Sequence, residues 1–317
     1  MTDSGLRHAA ESVRVCAVIV TYHPDLAVLD KLLDAVVPQV HCAVIVDNTA
    51  NEVVGQWLLT SRYTALASLI TQSENIGVGA GHNRGIEWAL CEGVTHVLLL
   101  DQDSVPEPHM VKALVAGWHR LTQSGVRVSA VGPQYVDPRS RRASYFVRFG
   151  WFGKQRITCN NNESVAPIEA DFLISSGALL SVDALRTVGV MDEALFIDHI
   201  DTEWFLRASA REYRAFGVCQ AVMHHSLGEG RLNFWFGRWY GLTRYQPLRY
   251  YYIFRNSILL YKRDYVPIRW IIADLLRLMG LFVVHAMFDE QRGRSVSMML
   301  RGTWHGLLGR NGRLDVS

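Results

Sequence analysis

The sequence predicts an α/β fold: a mixed, mostly parallel sheet flanked by helices, followed by a C-terminal helical region. Three observations carry this. Short apolar runs rich in β-branched residues alternate with segments whose apolar residues recur at helical spacing, the pattern of βαβ units with right-handed crossovers. The runs are apolar throughout rather than alternating, as strands buried on both faces are. At 317 residues, 49% of them hydrophobic, the chain is long enough to bury a sizeable core.

Val13–Val20 is the first such run, broken by Thr21-Tyr22-His23-Pro24-Asp25. Leu26–Val36 places Leu29, Leu32, Leu33 and Val36 on one helical face. Ala43–Val46 is a second short strand ending on Asp47-Asn48-Thr49, and Leu66–Thr71 a third. The stretch Asn75-Ile76-Gly77 to Asn83-Arg84-Gly85 then reads as a glycine-rich loop opening a helix that runs to about Cys91. Glycines there let backbone N–H groups approach a phosphate closely, and the helix dipole favours an anion. As a dinucleotide fingerprint it is poor, because the glycines are misspaced and follow a later strand. A flexible loop accounts for the glycines equally well. Asn83 and Arg84 add directed donors suited to a pyrophosphate or a base edge.

Val97–Leu100 is a buried strand that delivers Asp101 and Asp103 just past its carboxyl end, where open α/β sheets place their ligand crevice. Taken alone, Asp101-Gln102-Asp103 suits a turn as well as a site, since Pro106 follows closely. Val111–Leu121 reads as a helix, Val128–Gly132 as a strand and Asp137–Arg142 as a polar, basic turn. Trp151–Glu163 is loop-like, with Asn160-Asn161-Asn162 in a row. Phe172–Leu180 reads as a strand interrupted by Ser175-Ser176-Gly177, where a glycine suggests close approach of a ligand or another backbone. A short helix over Asp183–Val188 has Ser181 or Asp183 as its cap.

In Leu195–Arg207 a helix starting near Asp201 would align Asp201, Trp204, Phe205 and Ala208, and pair Glu203 with Arg207. Asp201 suits a helix cap, and equally a general base held against apolar rings at a cleft. Cys219–Val222 is the last strand of this half, followed by His224-His225, which suit metal ligation if the aspartates share their crevice. Beyond it, Trp235–Arg249 is aromatic and basic, and Tyr250–Asn256 reads as a ring-rich helix. Ile268–Phe288 is apolar but interrupted by Arg269, Asp274, Arg277 and His285. Its uncharged part, Leu278–Val284, falls far short of the roughly 20 residues that span a bilayer. It suits an amphipathic helix lying on a membrane or one packed on its own domain.

Composition removes several classes. A net charge of +2, from 32 basic and 30 acidic residues, gives no electrostatic case for nucleic acid. Cys16, Cys42, Cys91, Cys159 and Cys219 are odd in number and scattered, which argues against a disulfide framework or structural zinc and for a reducing compartment. Met1–Ser12 lacks the order of a signal peptide, so a cytoplasmic location is expected. A nicotinamide oxidoreductase is a weak rival, because no Gly-x-Gly-x-x-Gly closes the first strand.

From Val13 to Gly228 these motifs, in this order, resemble the inverting glycosyltransferases of family 2, which have the GT-A, Rossmann-like fold of nucleotide-diphospho-sugar transferases. The resemblance implies a catalytic domain over residues 1–230, with a donor half at about 13–103 and an acceptor half at about 104–230, and a separate C-terminal region over 231–317. Val46-Asp47-Asn48-Thr49 is similar to the segment whose aspartate reads the nucleotide base. Asn75-Ile76-Gly77 to Asn83-Arg84-Gly85 resembles the donor-binding Asn-x-Gly loop, and Asp101-Gln102-Asp103 the Asp-x-Asp motif. Gly189–Arg207 is similar to the block carrying the catalytic base, which falls on Asp201, although Ile200 and Glu203 depart from its usual acids. His225-Ser226-Leu227-Gly228 resembles the His-x-x-Gly segment that completes the metal site, with His224 as competitor. Donor binding is thus expected at Thr21, Asp47, Asn75, Gly77, Asn83, Arg84, Asp101 and Gln102. The acceptor side is expected at Ser176, Gly177, Asp201 and Trp204, and Mg²⁺ or Mn²⁺ at Asp103 and His225. The runs Leu98–Ser104, Phe172–Gly177 and Phe196–Glu203 look like bacterial rhamnosyltransferases of the O-antigen and rhamnolipid type. That implies dTDP-L-rhamnose as donor and a lipid-linked glycan or glycolipid as acceptor, met at the inner membrane face; the alternatives are a family 2 transferase using another sugar nucleotide and a catalytically silent sugar-nucleotide or glycan-binding protein.

Overall fold

A computed structural model describes residues 13–137, 142–150, 153–159, 166–225, 230–235, 237 and 239–315. The donor half forms strands β1 (Val15–Thr21), β2 (Cys42–Asp47), β3 (Ala67–Thr71) and β4 (His96–Asp101), joined by α1 (Leu26–Val36), α2 (Val53–Thr60) and α3 (Val78–Cys91). Then come β5 (Val105–Pro106), α4 (Met110–Gln123), β6 (Val128–Asp137), β7 (Arg142–Ala143), β8 (Phe146–Gly150), β9 (Gly153–Ile157), β10 (Ile168–Ala170) and β11 (Leu179–Ser181). Helices α5 (Val182–Val188) and α6 (Ile200–Ala210) precede β12 (Arg214–His224) and the hairpin β13 (Gly230–Trp235) and β14 (Trp239–Arg244). Helices α7 (Pro247–Tyr261), α8 (Ile268–Phe288) and α9 (Arg292–Leu307) complete the described chain.

The main sheet runs β10-β12-β6-β11-β4-β1-β2-β3, with β5 and β7 on its margins. β3, β2, β1 and β4 pair in parallel, as do β6 and β12, while β11 lies antiparallel between β4 and β6. The sheet is therefore mixed and mostly parallel, as its patterning predicts. Each central strand feeds two cores: Val97 and Leu99 face the layer holding α3, α5 and α6, while Leu98 and Leu100 face the layer holding α1 and α4. Burial on both faces is why these runs carry no polar alternation. Asp25 caps α1, its carboxylate accepting from Ala27 N at 2.9 Å, and Ser181 caps α5, its hydroxyl accepting from Ala184 N at 3.1 Å.

Several expectations are corrected. The glycine-rich stretch is a loop only as far as Gly77. Gly79, Gly81 and Gly85 lie inside α3, where a Cβ on Gly85 would come within 2.2 Å of Val18 Cγ1. Close helix–strand packing, not loop flexibility, calls for glycine there. Phe172–Leu180 is not one strand: residues 173–178 are irregular, with a turn at Ser176-Gly177, and only Leu179–Ser181 pairs with β4. Within Trp151–Glu163, residues 153–157 form β9, hydrogen-bonded to β8, while Asn160-Asn161-Asn162 and most of the Asp137–Arg142 turn lie outside the described residues. Cys159 and Cys219, 60 positions apart, form a disulfide with Cα atoms 5.7 Å apart. Spacing could not reveal it, because only the fold brings the end of β9 against β12, and the expected reducing compartment loses that support. α8 is 21 residues long and, by length and composition, apolar enough to cross a membrane, although the part of it free of charged residues, Leu278–Val284, is short.

The C-terminal region is packed onto the catalytic half. Asn256 Nδ2 donates to the carbonyls of Leu195, Ile197 and Asp198 at 3.0, 2.7 and 2.9 Å, and the buried Arg255 donates to Leu195 O at 2.8 Å.

Candidate active site

At the carboxyl ends of β1, β2 and β4 a cavity of about 640 Å³ opens, walled by Thr21, Asn48, Asn75, Gly77, Asp101–Asp103, residues 196–201, His225, Tyr245 and Arg249. On one wall, single ligating atoms of Asp101, Asp103 and His225 all lie within 4.8 Å of one another. His225 Nδ1 stands 3.4 Å from Asp103 Oδ1, and its Nε2 3.9 Å from Asp101 Oδ2. The ring is fixed from behind: Ser104 Oγ lies 3.0 Å from Nδ1 and also contacts Ser176 Oγ, which accepts from Asp101 N at 3.1 Å. His224 instead pairs with Glu107 at 3.2 Å, outside the cluster, so of the two histidines the fold selects His225.

Burial raises the Asp101 carboxyl, and the neighbouring Asp103 charge adds to it against the opposing pull of His225. Burial alone would lower the His225 imidazole, but its hydrogen bond to Asp103 and the two carboxylate charges hold it above its ordinary value. Two carboxylates facing one imidazole form a donor set of mixed oxygen and nitrogen that fits a divalent cation such as Mg²⁺ or Mn²⁺.

Asp201 lies in the first turn of α6 and faces the same cavity, while Trp204, Phe205 and Ala208 of that helix are buried. It does not cap the helix; that position falls to His199. Desolvation pushes the Asp201 carboxyl up to about 6, with the Asp198 and Asp101 charges adding and the 2.7 Å hydrogen bond from Thr202 N opposing. Glu203, by contrast, is locked by Arg207 at 2.8 Å and by the Tyr265 hydroxyl, and belongs to the scaffold.

Asp47 ends β2 between Thr21 and Asn48, which line the cavity, but does not itself line it. Its Oδ1 accepts from Thr21 Oγ1 at 2.9 Å and from Thr49 Oγ1 at 2.6 Å, while Oδ2 is buried without a hydrogen-bond partner among the described residues. Asn48 Oδ1 beside it is in the same state. Asn75 Oδ1 accepts from Gly77 N at 2.9 Å. Gly77 has φ +87°, and a Cβ there would sit 2.6 Å from both the ring and the carbonyl of Phe196, so only glycine lets this loop close on residues 196–199. Gln102 accepts from Tyr22 N at 2.7 Å, tying the Asp-x-Asp turn to the loop after β1.

The structure does not bring every expected residue to the cavity. Asn83 is buried, its amide spent on Met191 and Glu193, and Arg84 pairs with Glu87 on the surface at 3.3 Å. Trp204 is fully buried and donates to Gly189 O, and Gly177 packs on Pro133, so neither lines the cavity. Ser176 acts on Asp101 from behind. Conversely, sequence reasoning missed Arg249 and Tyr245. Arg249 lines the cavity, pairs with Asp198 at 3.0 Å and stands over the Tyr245 ring. Phe196, Asp198 and His199 all have positive φ, a strained segment held by Asn256 and by Ser257, whose hydroxyl is 3.0 Å from His199 Nε2.

The family model described as Glycosyl transferase family 2 matches residues 16–189. The chain is 29% identical over 256 residues to dTDP-rhamnosyl transferase RfbF of Shigella flexneri, covering 80% of this chain and 82% of that one. It is similar in structure to S. aureus TarS 1-349 in complex with UDP-GlcNAc, at 12% identity and a TM-score of 0.53, over 96% of this chain and 95% of that one. It also resembles GalNAc-T7 with UDP, GalNAc and Mn²⁺, at 12% identity and a TM-score of 0.55, over 68% of this chain and 43% of that one. These likenesses show a GT-A transferase fold.

Proposed function

The chain belongs to glycosyl transferase family 2, and from that premise we propose that it moves L-rhamnose from dTDP-β-L-rhamnose to a hydroxyl of a lipid-linked glycan or glycolipid, with inversion. The similarity to a dTDP-rhamnosyl transferase supports the donor. The observation that carries the mechanism is the placement of Asp101, Asp103 and His225 on one wall of a single cavity, with Asp201 and Arg249 also lining it.

In this reading Asp47 accepts the imide N–H of the base through its buried, unpartnered Oδ2, and Thr21 and Thr49 orient that carboxylate. Gly77 and Asn75 shape the loop beside the donor, and Asp101 with Gln102 lies nearer the ribose. Asp103 and His225 hold the cation, Mg²⁺ or Mn²⁺, which when bound supplies positive charge to the departing diphosphate. Arg249 adds a fixed cation on the same cavity wall. Asp201 takes the proton from the acceptor hydroxyl as it attacks the anomeric carbon from the opposite face. Its raised carboxyl suits that task, since a base tuned toward the working pH holds a proton better than an ordinary carboxylate. A single displacement of this kind turns a β-linked donor into an α-L-rhamnoside.

The C-terminal helices serve the acceptor in this proposal. Ile268, Ile272, Leu276, Met279, Val283 and Met287 are exposed along α8, and Leu300, Trp304 and Leu307 along α9. Arg269, Arg292, Arg294 and Arg301 are exposed close to them in the chain. An apolar face with basic neighbours fits the cytoplasmic surface of an anionic membrane.

Calorimetry tests the donor step. With Mn²⁺ present, dTDP-L-rhamnose should bind the wild-type chain, and Asp103→Ala or EDTA should weaken it sharply. Unchanged affinity in both would refute the metal-assisted reading.

A further inference from the structure

We infer that α8 belongs to the catalytic apparatus: Asp274 and Arg277, on its inner face, are positioning residues that set the turn carrying Asp201 through His199. This rests on reading Asp201 as the base, and it names what holds that base in place. The turn needs holding. Phe196, Asp198 and His199 have φ of +64°, +64° and +62°, three left-handed non-glycine residues in four. Such backbone is unfavourable for a residue with a Cβ and persists only where neighbouring contacts fix it. α6 starts from His199, whose carbonyl accepts from Glu203 N at 2.8 Å. The conformation of this one residue therefore sets the direction of the first turn, with Asp201 in it.

α8 reaches His199 through three side chains of one face, Trp270, Asp274 and Arg277, spaced i, i+4, i+7. The buried Trp270 indole stands edge-on to the imidazole, ring centroids 5.9 Å apart. A terminal nitrogen of Arg277 lies 3.2 Å from His199 Nε2. Arg277 Nε donates to Asp274 Oδ1 at 2.7 Å, and Asp274 Oδ2 accepts from the Tyr261 hydroxyl of α7 at 2.9 Å. The guanidinium is thus fixed between a buried carboxylate and the imidazole. Ser257 of α7 meets the same ring nitrogen, and Trp270 shares one core with Ile200, Trp204 and Phe205 of α6.

Stability alone does not explain the charged pair. Asp274 is 6% exposed in a helix that is otherwise mostly apolar, and well-packed apolar residues usually replace a buried ion pair without loss. What apolar residues could not supply is a directed contact to His199. Neither Asp274 nor Arg277 lines the cavity, whereas His199 does, so the pair acts on the site through that imidazole. The helix is two-faced: Ile272, Leu276, Met279 and Val283 point outward and are exposed, while the inner face is committed to the segment before α6.

Steady-state transfer from dTDP-L-rhamnose to membrane-derived lipid-linked glycans, with Mn²⁺ and the full chain, tests it. Arg277→Gln should lower kcat about tenfold, the effect of one charge-assisted hydrogen bond, with donor KM unchanged and the melting temperature within a few degrees of wild type. Arg277→Lys, which keeps a cationic donor, should recover part of the loss, and Arg269→Gln, at an exposed position of the same helix, should cause none. In a His199→Phe background Arg277→Gln should cost less than about twofold more, because the residue it acts through is gone. Unchanged kcat in Arg277→Gln, losses that multiply in the double variant, or a donor KM and melting temperature that move with kcat would each overturn the proposal. Asp201→Asn, measured alongside, separates the inference from its premise. Near-wild-type turnover there would remove the base assignment and this inference with it. Loss of turnover there beside an unaffected Arg277→Gln would overturn the inference alone.

Discussion

Replacing Asp201 by asparagine should move stability and turnover in opposite directions. Raising a carboxyl from 3.8 to about 6 makes its ionised form up to about 3 kcal/mol less favourable in the folded chain than in the unfolded one. The folded state therefore binds this proton more tightly. Stability from this group is greatest below about pH 4, falls as pH rises toward 6, and stays reduced above it. Partial solvent access to the carboxylate makes 3 kcal/mol a ceiling. The substituted amide has no charge to desolvate, so Asp201→Asn should melt a few degrees above wild type at pH 8 and alongside it at pH 4, followed by circular dichroism. Turnover should fall by about 10²–10⁴-fold, the usual worth of a general base, with calorimetric donor affinity retained. In the wild type, kcat/KM should climb with pH up to about 6 and then level. A variant that melts lower than wild type at pH 8, or keeps near-wild-type turnover, would refute the assignment of Asp201 as a destabilised base.

Three further outcomes follow from the geometry. His225→Ala should raise the Mn²⁺ concentration needed for half-maximal activity at least tenfold, whereas His224→Ala, which loses only an exposed contact to Glu107, should leave it unchanged. Asn256→Ala removes an amide shared among three carbonyls of the strained segment before α6, so kcat should drop more than tenfold while the melting temperature falls by only a few degrees; equal losses in both would make it a plain stability residue. Leu276→Lys with Met279→Lys, at exposed positions on α8, should abolish co-sedimentation with anionic vesicles without changing the circular dichroism spectrum, and persistent binding would rule out this face.

How far the fold could be read from the chain depended on where the information lay. β1, α1 and β4 were legible because double-sided burial writes an unbroken apolar run and a helix face writes its own spacing; even the Asp25 cap is a local signal. α3 was harder, since glycine is a poor helix former and the compensating contact, Gly85 on Val18, is 67 residues away in sequence. The same holds for Cys159 with Cys219 and Arg249 with Asp198, pairs made by folding and invisible as spacing. The acidic cluster was legible as a motif, and the fold was needed to choose His225 over its neighbour. Asn83 shows the limit of motif reading: an amide that suits a ligand is spent on holding Met191 and Glu193.

The most direct test of the account is transfer itself. The full chain, with membrane-derived lipid-linked glycans as acceptors, should be given dTDP-L-rhamnose, UDP-GlcNAc and other sugar nucleotides, each with Mn²⁺ or with EDTA, and the product analysed by NMR. Release of dTDP from dTDP-L-rhamnose alone, dependent on Mn²⁺ and yielding an α-L-rhamnoside, is the predicted result. Transfer from another donor, a β-linked product, or full activity in EDTA would contradict it.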